Sequence, residues 1–229
     1  RGERTIMKNA MKSYLVFTSL AYRVLVYLGI PVVLSGMAAY VGRKLGGGAA
    51  LVAAAVLLPM AEAVSDNWLF GGIHTKDTEK MDFLKTSGCG MRIMRNALGL
   101  DMFRKLITAV IVLGICSFAF PWINSGNRFE MGQKVREADE IIQMAVYGAG
   151  VSWFFSVLGT FLTRYGSQLW FNMIVGYGLV LLETVCWFLP GLEEHLVLYA
   201  LLYLALGIGV SLLAVNVAMK KVEGSYYDK

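Results

Sequence analysis

Side chains able to do chemistry are sparse in this 229-residue chain. It has no G-x-x-x-x-G-K-S/T segment, so it cannot cradle a nucleotide phosphate in a P-loop, and no HExxH pair that could hold zinc. Its three cysteines, Cys89, Cys116 and Cys186, are an odd number without CxxC spacing. They imply neither a disulfide framework nor a zinc site, and Cys116 and Cys186, inside apolar runs, read as small core residues. Gly150-Val151-Ser152 has no histidine in the same apolar run to activate the serine. No nucleophile and base can be paired. The expectation is a chain with no catalytic residue, no metal and no cofactor of its own.

Three acids stand out by their surroundings. Glu62, Asp66 and Glu183 lie in long apolar stretches, and a charge near a bilayer centre costs at least about 2.5–3.5 kcal/mol if it faces lipid. Such residues are candidates for substrate contact or for ion pairing. Glu62 and Asp66 are expected to pair with Arg23 or Arg164. Glu183, beside Cys186 and Trp187, either meets a cationic substrate from inside the bundle or snorkels to the outer surface. The aromatics Trp153, Phe154, Phe155, Trp170, Phe171, Trp187 and Phe188 read as interfacial belt and packing before they read as a substrate box.

The elements that position these groups follow from composition. Hydrophobic residues make up 57% of the chain and charged residues 16%, with mean hydropathy +0.58. That is too few charges to cover a soluble globule and too many apolar residues for a disordered chain. Six apolar runs are each long enough to cross a bilayer as a helix of about 20 residues. They cover about 23–41, 49–66, 106–123, 141–162, 169–189 and 196–219. The expected fold is therefore all-α, a polytopic membrane protein with a single six-span domain over residues 23–229. Residues 1–22 show no secretory signal. Their Met7, Met11, Tyr14 and Thr18 recur at helical spacing opposite Lys8 and Lys12, which predicts a basic amphipathic helix on the membrane surface; the plainer alternative is a simple extension of the first span.

Charge decides the expected topology. Sixteen of the 21 Lys and Arg residues fall on the side of the two termini and of loop 71–105, and five on the side of Arg43, Lys44 and loop 124–140. Positive charge concentrates inside, so both termini are expected in the cytoplasm. The net charge of +5 is thus spent on orientation, and nucleic acid is not an expected partner. The two halves carry unlike loops, which argues against an inverted-repeat transporter.

Loop 71–105 is the most informative segment. Lys80–Ser87 can form a short helix stopped by Gly88-Cys89-Gly90, and Met91–Leu100 a second with Arg92 and Arg95 on one face. Phe83 and Leu84 suit a pocket on a partner, with basic residues at its rim; the plainer alternative is a solvated loop with its arginines on headgroups.

The run Asp82-Phe83-Leu84-Lys85-Thr86-Ser87, the glycine turn, Arg92 or Arg95, and then Arg104-Lys105 at the start of a span resembles the coupling loop of type-2 ABC exporter permeases. That family has an amphipathic elbow helix, six spans and a coupling helix between the second and third. The proline frequent in the family's turn is absent. The resemblance implies a bacterial cytoplasmic membrane protein that moves a hydrophobic or amphipathic substrate, a peptide favoured. It implies a second permease subunit, identical or similar, and two copies of a separate ATPase subunit that binds ATP and Mg. Asp82, Phe83, Leu84, Lys85, Thr86, Arg92 and Arg95 would carry the coupling. The competing reading is a non-transporting membrane scaffold or accessory subunit that recruits cytoplasmic partners through the same loop.

Overall fold

The computed structural model of the protein describes residues 12, 14, 15, 18–75, 89–124, 138–163, 169–192 and 194–224. Among them no strand occurs; six helices carry the architecture. They are α1 (Leu20–Leu45), α2 (Gly47–Thr75), α3 (Gly90–Asn124), α4 (Ala138–Thr163), α5 (Leu169–Cys186) and α6 (Leu196–Gly224). All but α5 contain apolar stretches long enough to cross a bilayer, and the described apolar part of α5, Ile174–Cys186, is shorter. The protein is an all-α polytopic membrane protein.

Local chemistry sets the helix ends. Ser19 starts α1 by accepting the Tyr22 N–H on its hydroxyl at 3.1 Å, a cap for an otherwise orphaned donor. The first span thus begins at Leu20, three residues earlier than the sequence suggests, and takes Tyr22 out of the expected surface helix. Of that helix, Lys12, Tyr14 and Leu15 are described and helical, with Lys12 exposed and Tyr14 buried, whereas Thr18 and Ser19 are not helical, so the surface helix does not run on to residue 22 as expected. Within α1, Leu25–Gly29 winds as a π turn just ahead of Pro31. The proline ring crowds the carbonyl four residues back, and a widened turn relieves that clash. Gly46 alone joins α1 to α2, at φ 99°, a left-handed conformation that only glycine adopts without strain.

The third helix departs most from expectation. Residues 91–100 do not form a separate surface helix: α3 runs unbroken through 35 residues. No proline interrupts it before Pro121, and Gly99 alone does not end a helix. At 1.5 Å per residue it is about 52 Å long, against about 30 Å for a hydrocarbon core.

The helices alternate in direction. Ser152 of α4 meets Ala55 of α2 and Thr160 meets Asp66, so α2 and α4 run parallel. Leu113 lies beside Gly148 and Lys105 beside Thr160, so α3 runs against them. The central helix is α4, which contacts α2, α3, α5 and α6 and buries Tyr147, Val151 and Val157 completely. Small residues let it close on α6. A Cβ on Gly150 would stand 3.1 Å from the Ala200 carbonyl oxygen, and one on Gly207 would stand 2.7 Å from the Trp153 ring. Close approach through glycine is how helices gain dispersion contacts where lipid removes the hydrophobic drive.

Candidate functional site

Toward the end of the bundle away from Gly46, α2, α3 and α4 enclose a cluster of charges. Arg104 donates from Nη1 and Nη2 to both carboxylate oxygens of Glu62, at 3.0 and 2.6 Å, and from Nε to Asp101 at 3.0 Å. Lys105 donates to Asp66 and to the Thr160 hydroxyl, and the Asp101 carboxylate lies 3.9 Å from its Nζ. The Thr160 hydroxyl also bonds Asp66, so one α4 side chain bridges the acid of α2 and the base of α3. Thr108 lies 3.5 Å from Arg104 Nη1. All five ionic side chains are buried, Lys105 and Glu62 with no exposed surface at all.

The sequence produces this cluster by helical spacing. Asp101, Arg104, Lys105 and Thr108 recur at i, i+3, i+4 and i+7 and so share one face of α3. Glu62 and Asp66 are four apart on α2, again one face. The fork-shaped guanidinium suits the two-oxygen pairing with Glu62, which a lysine could not reproduce. Rise along the helix puts Glu62 about 22 Å and Asp66 about 28 Å from the Gly47 end of α2. The cluster therefore spans the last third of the hydrocarbon core and its border.

Two cations face three carboxylates. With every group ionised, the cluster carries a formal charge of −1 among the described residues. Asp66 keeps one carboxylate oxygen, Oδ1, buried without a hydrogen-bond partner. Tyr14, ahead of α1, and Tyr22 lie close enough to feel both Asp101 and Arg104. Burial pushes the Tyr14 phenol far above its ordinary range and the Asp101 carboxylate adds to this, while Arg104 opposes it, so the hydroxyl keeps its proton.

Glu62 and Asp66 do pair with cations, but not with the expected ones. Their partners are Arg104 and Lys105, which the sequence reading left at the polar start of the third span. Arg23 instead turns its Nε to the Ser19 carbonyl at 3.4 Å, and Arg164 lies outside the described residues. Removing Arg104 and Lys105 from the inner-side basic residues leaves 14 of the original sixteen against five, so the charge bias survives. The sequence reading missed Asp101, Arg104, Lys105 and Thr160 as site residues; the i, i+3, i+4, i+7 polar stripe on α3 was the signal. Arg92 and Arg95 are exposed on α3, two to three turns before the cluster. Asp82, Phe83, Leu84, Lys85 and Thr86 lie outside the described residues.

A second buried acid occupies the other half of the bundle. Glu183 on α5 has no exposed surface, which excludes snorkelling. Its Oε1 is 3.0 Å from the Ser152 hydroxyl on α4, and that hydroxyl is 2.9 Å from the Ala55 carbonyl on α2. Beside it, Tyr147 donates to the Cys186 carbonyl at 2.7 Å, and Tyr203 donates to the Cys186 sulfur at 3.1 Å. Tyr147 also stacks edge-on against Trp187 and Tyr203.

Two of these bonds answer to carbonyls without a helical donor. Pro59 offers no N–H to Ala55, four residues back, and Cys186 is the last residue of α5, so no helical N–H follows to serve it. Both orphaned carbonyls are served by hydroxyls of α4, Ser152 and Tyr147. Of the expected aromatic belt, Trp153 and Phe155 are core residues and Trp187 is half-buried, while Phe188 is exposed.

Among the described residues no cluster of three or more His, Cys, Asp or Glu could hold a metal. No protein-family model matches the chain, and no curated protein or solved structure matches it either. What the arrangement can do is mechanical and electrostatic. It locks three helices together through charge and keeps a separate carboxyl in the middle of the bundle.

Proposed function

We propose that this chain is the membrane-spanning permease subunit of an ATP-driven ABC exporter. In this reading it works beside a second permease subunit and two copies of a separate ATPase that binds ATP and Mg, and forms half of a pathway for a hydrophobic or amphipathic substrate. The bilayer is the bacterial cytoplasmic membrane, with both termini inside.

One observation carries the reading. The helix that begins at the candidate docking loop is continuous with the helix that holds the buried ion cluster. Exposed Arg92 and Arg95 and buried Arg104 and Lys105 share α3 without a break. Roughly 20 Å of that helix exceeds the hydrocarbon thickness. A push that a closing ATPase dimer delivers to Arg92 and Arg95 would therefore reach α2 and α4 through one continuous helix and paired charge. Packed, paired elements of this kind shift between discrete arrangements and do not deform smoothly.

The test is co-purification of the full-length protein with its ATPase, followed by hydrolysis measurements on Phe83→Ala and Arg92→Ala. Loss of bound ATPase, or of substrate-stimulated hydrolysis, supports the coupling role. Intact assembly and hydrolysis in both variants removes it, and an assembly with no substrate-dependent hydrolysis favours the scaffold.

A further inference from the structure

We infer that Glu183 is a proton-binding site in the middle of the membrane, loaded at neutral pH through a relay that Pro59 creates. The inference is independent of the exporter reading.

The number of available protons fixes the direction of these bonds. A serine hydroxyl carries one, and Ser152 Oγ stands within hydrogen-bond distance of two oxygens, the Ala55 carbonyl at 2.9 Å and Glu183 Oε1 at 3.0 Å. A carbonyl can only accept. This one cannot draw on its own helix, because residue 59 is proline, and an unserved carbonyl inside a bilayer costs several kcal/mol. The Ser152 proton therefore goes to Ala55. Ser152 must then accept from Glu183, and only a protonated carboxyl can donate. The relay reads Glu183 O–H to Ser152 Oγ, then Ser152 O–H to Ala55 O.

The surroundings agree. Glu183 is faced by Ser152 and Tyr147 from α4 and by the Ala55 carbonyl from α2. Tyr203 of α6 and Cys186 of its own helix lie near enough to feel its charge. None of these is a cation, and among the described residues no lysine, arginine or histidine pairs with it. The contrast with Glu62, whose two oxygens take the Arg104 fork, is complete. Oε2 of Glu183 is buried with no hydrogen-bond partner, which a neutral carboxyl tolerates far better than a carboxylate. Helix rise places Ala55 about 12 Å from the Gly47 end of α2 and Ser152 about 21 Å from the Ala138 end of α4, both well inside a core of about 30 Å.

The ligand is a proton, and linkage follows. Losing the Glu183 proton to water or another base that reaches the site turns the Ser152 hydroxyl round and leaves the Ala55 carbonyl unserved. Proton release thus loosens the contact between α2 and α4 beside Pro59.

Infrared spectroscopy of the full-length protein in lipid bilayers tests this directly. At neutral pH the wild type should show a protonated-carboxyl stretch that moves on labelling with carboxyl-13C glutamate and is lost in Glu183→Gln. In Pro59→Ala the restored N–H serves Ala55, freeing Ser152 to donate to the carboxylate. The band should then require about tenfold more protons to persist than in the wild type. A spectrum without a glutamate-labelled protonated carboxyl at neutral pH overturns the site, without relying on any variant folding. A Pro59→Ala titration that matches the wild type overturns the relay.

Discussion

Lys105→Met puts the ion cluster to a quantitative trial. Methionine keeps the apolar stem of the lysine and removes one of two cations facing three carboxylates. The cluster's formal charge goes from −1 to −2, and Asp66 is left with only the Thr160 hydroxyl from its present pair of partners. Breaking a buried pair from one side costs about 3–5 kcal/mol, a large share of a total stability of about 5–15 kcal/mol. Asp66→Asn goes the other way, taking the formal charge to zero, and an amide oxygen still accepts from Lys105. It should cost about 1–2 kcal/mol. The double variant removes the pair, so its cost should fall at least about 2 kcal/mol short of the sum of the singles. The assay is a double-mutant cycle, with unfolding followed by tryptophan fluorescence as denaturing detergent is titrated into lipid–detergent micelles. Additivity within about 0.5 kcal/mol, or a Lys105→Met protein as stable as the wild type, would refute the account of paired charge holding α2, α3 and α4 together.

Other outcomes follow from single contacts. Gly207→Ala sets a methyl 2.7 Å from the Trp153 ring, whose Nε1 is tethered to the Met102 carbonyl at 2.9 Å. Overpacking against a ring that cannot move away should cost about 1–3 kcal/mol in the same unfolding assay, and no loss would show that α4 and α6 can separate there. Trp153→Phe gives up that tether and should cost about 1 kcal/mol. Arg92→Ala with Arg95→Ala changes only exposed side chains, so stability should stay within about 0.5 kcal/mol of wild type while ATPase association falls. Exposed Cys89 should react with a membrane-impermeant maleimide only after cells are permeabilised, and buried Cys116 only after unfolding. Labelling of Cys89 in intact cells would reverse the proposed orientation.

Much of the fold was legible because a bilayer imposes length and apolarity on each crossing. Runs of apolar residues located α1, α4, α5 and α6 to within about five positions at each end, but missed the last nine residues of α2 and the first sixteen of α3; Pro-Gly at 190–191 marked the end of α5, though the helix already unwinds after Cys186. Three of the four buried acids were legible for the same reason: Glu62, Asp66 and Glu183 are costly where they stand, whereas Asp101 was passed over with the polar segment. Their partners were misread. Arg104 and Lys105 adjoin a polar segment, and counting them with it ended the loop where α3 had already run for more than three turns. Continuous helix and shared face, not local polarity, decide their position. The Ser152 relay was harder to see, since it needs the carbonyl orphaned by Pro59 to meet a hydroxyl 97 residues away in sequence.

The most direct test of coupling through α3 is mass determination and ATP hydrolysis on the full-length protein extracted gently from its native membrane. The account predicts a complex holding an ATP-hydrolysing subunit for each copy of this chain, with that subunit lost in Phe83→Ala while the Lys105–Asp66 pairing stays intact. Full function from preparations that contain no ATP-hydrolysing partner would contradict it.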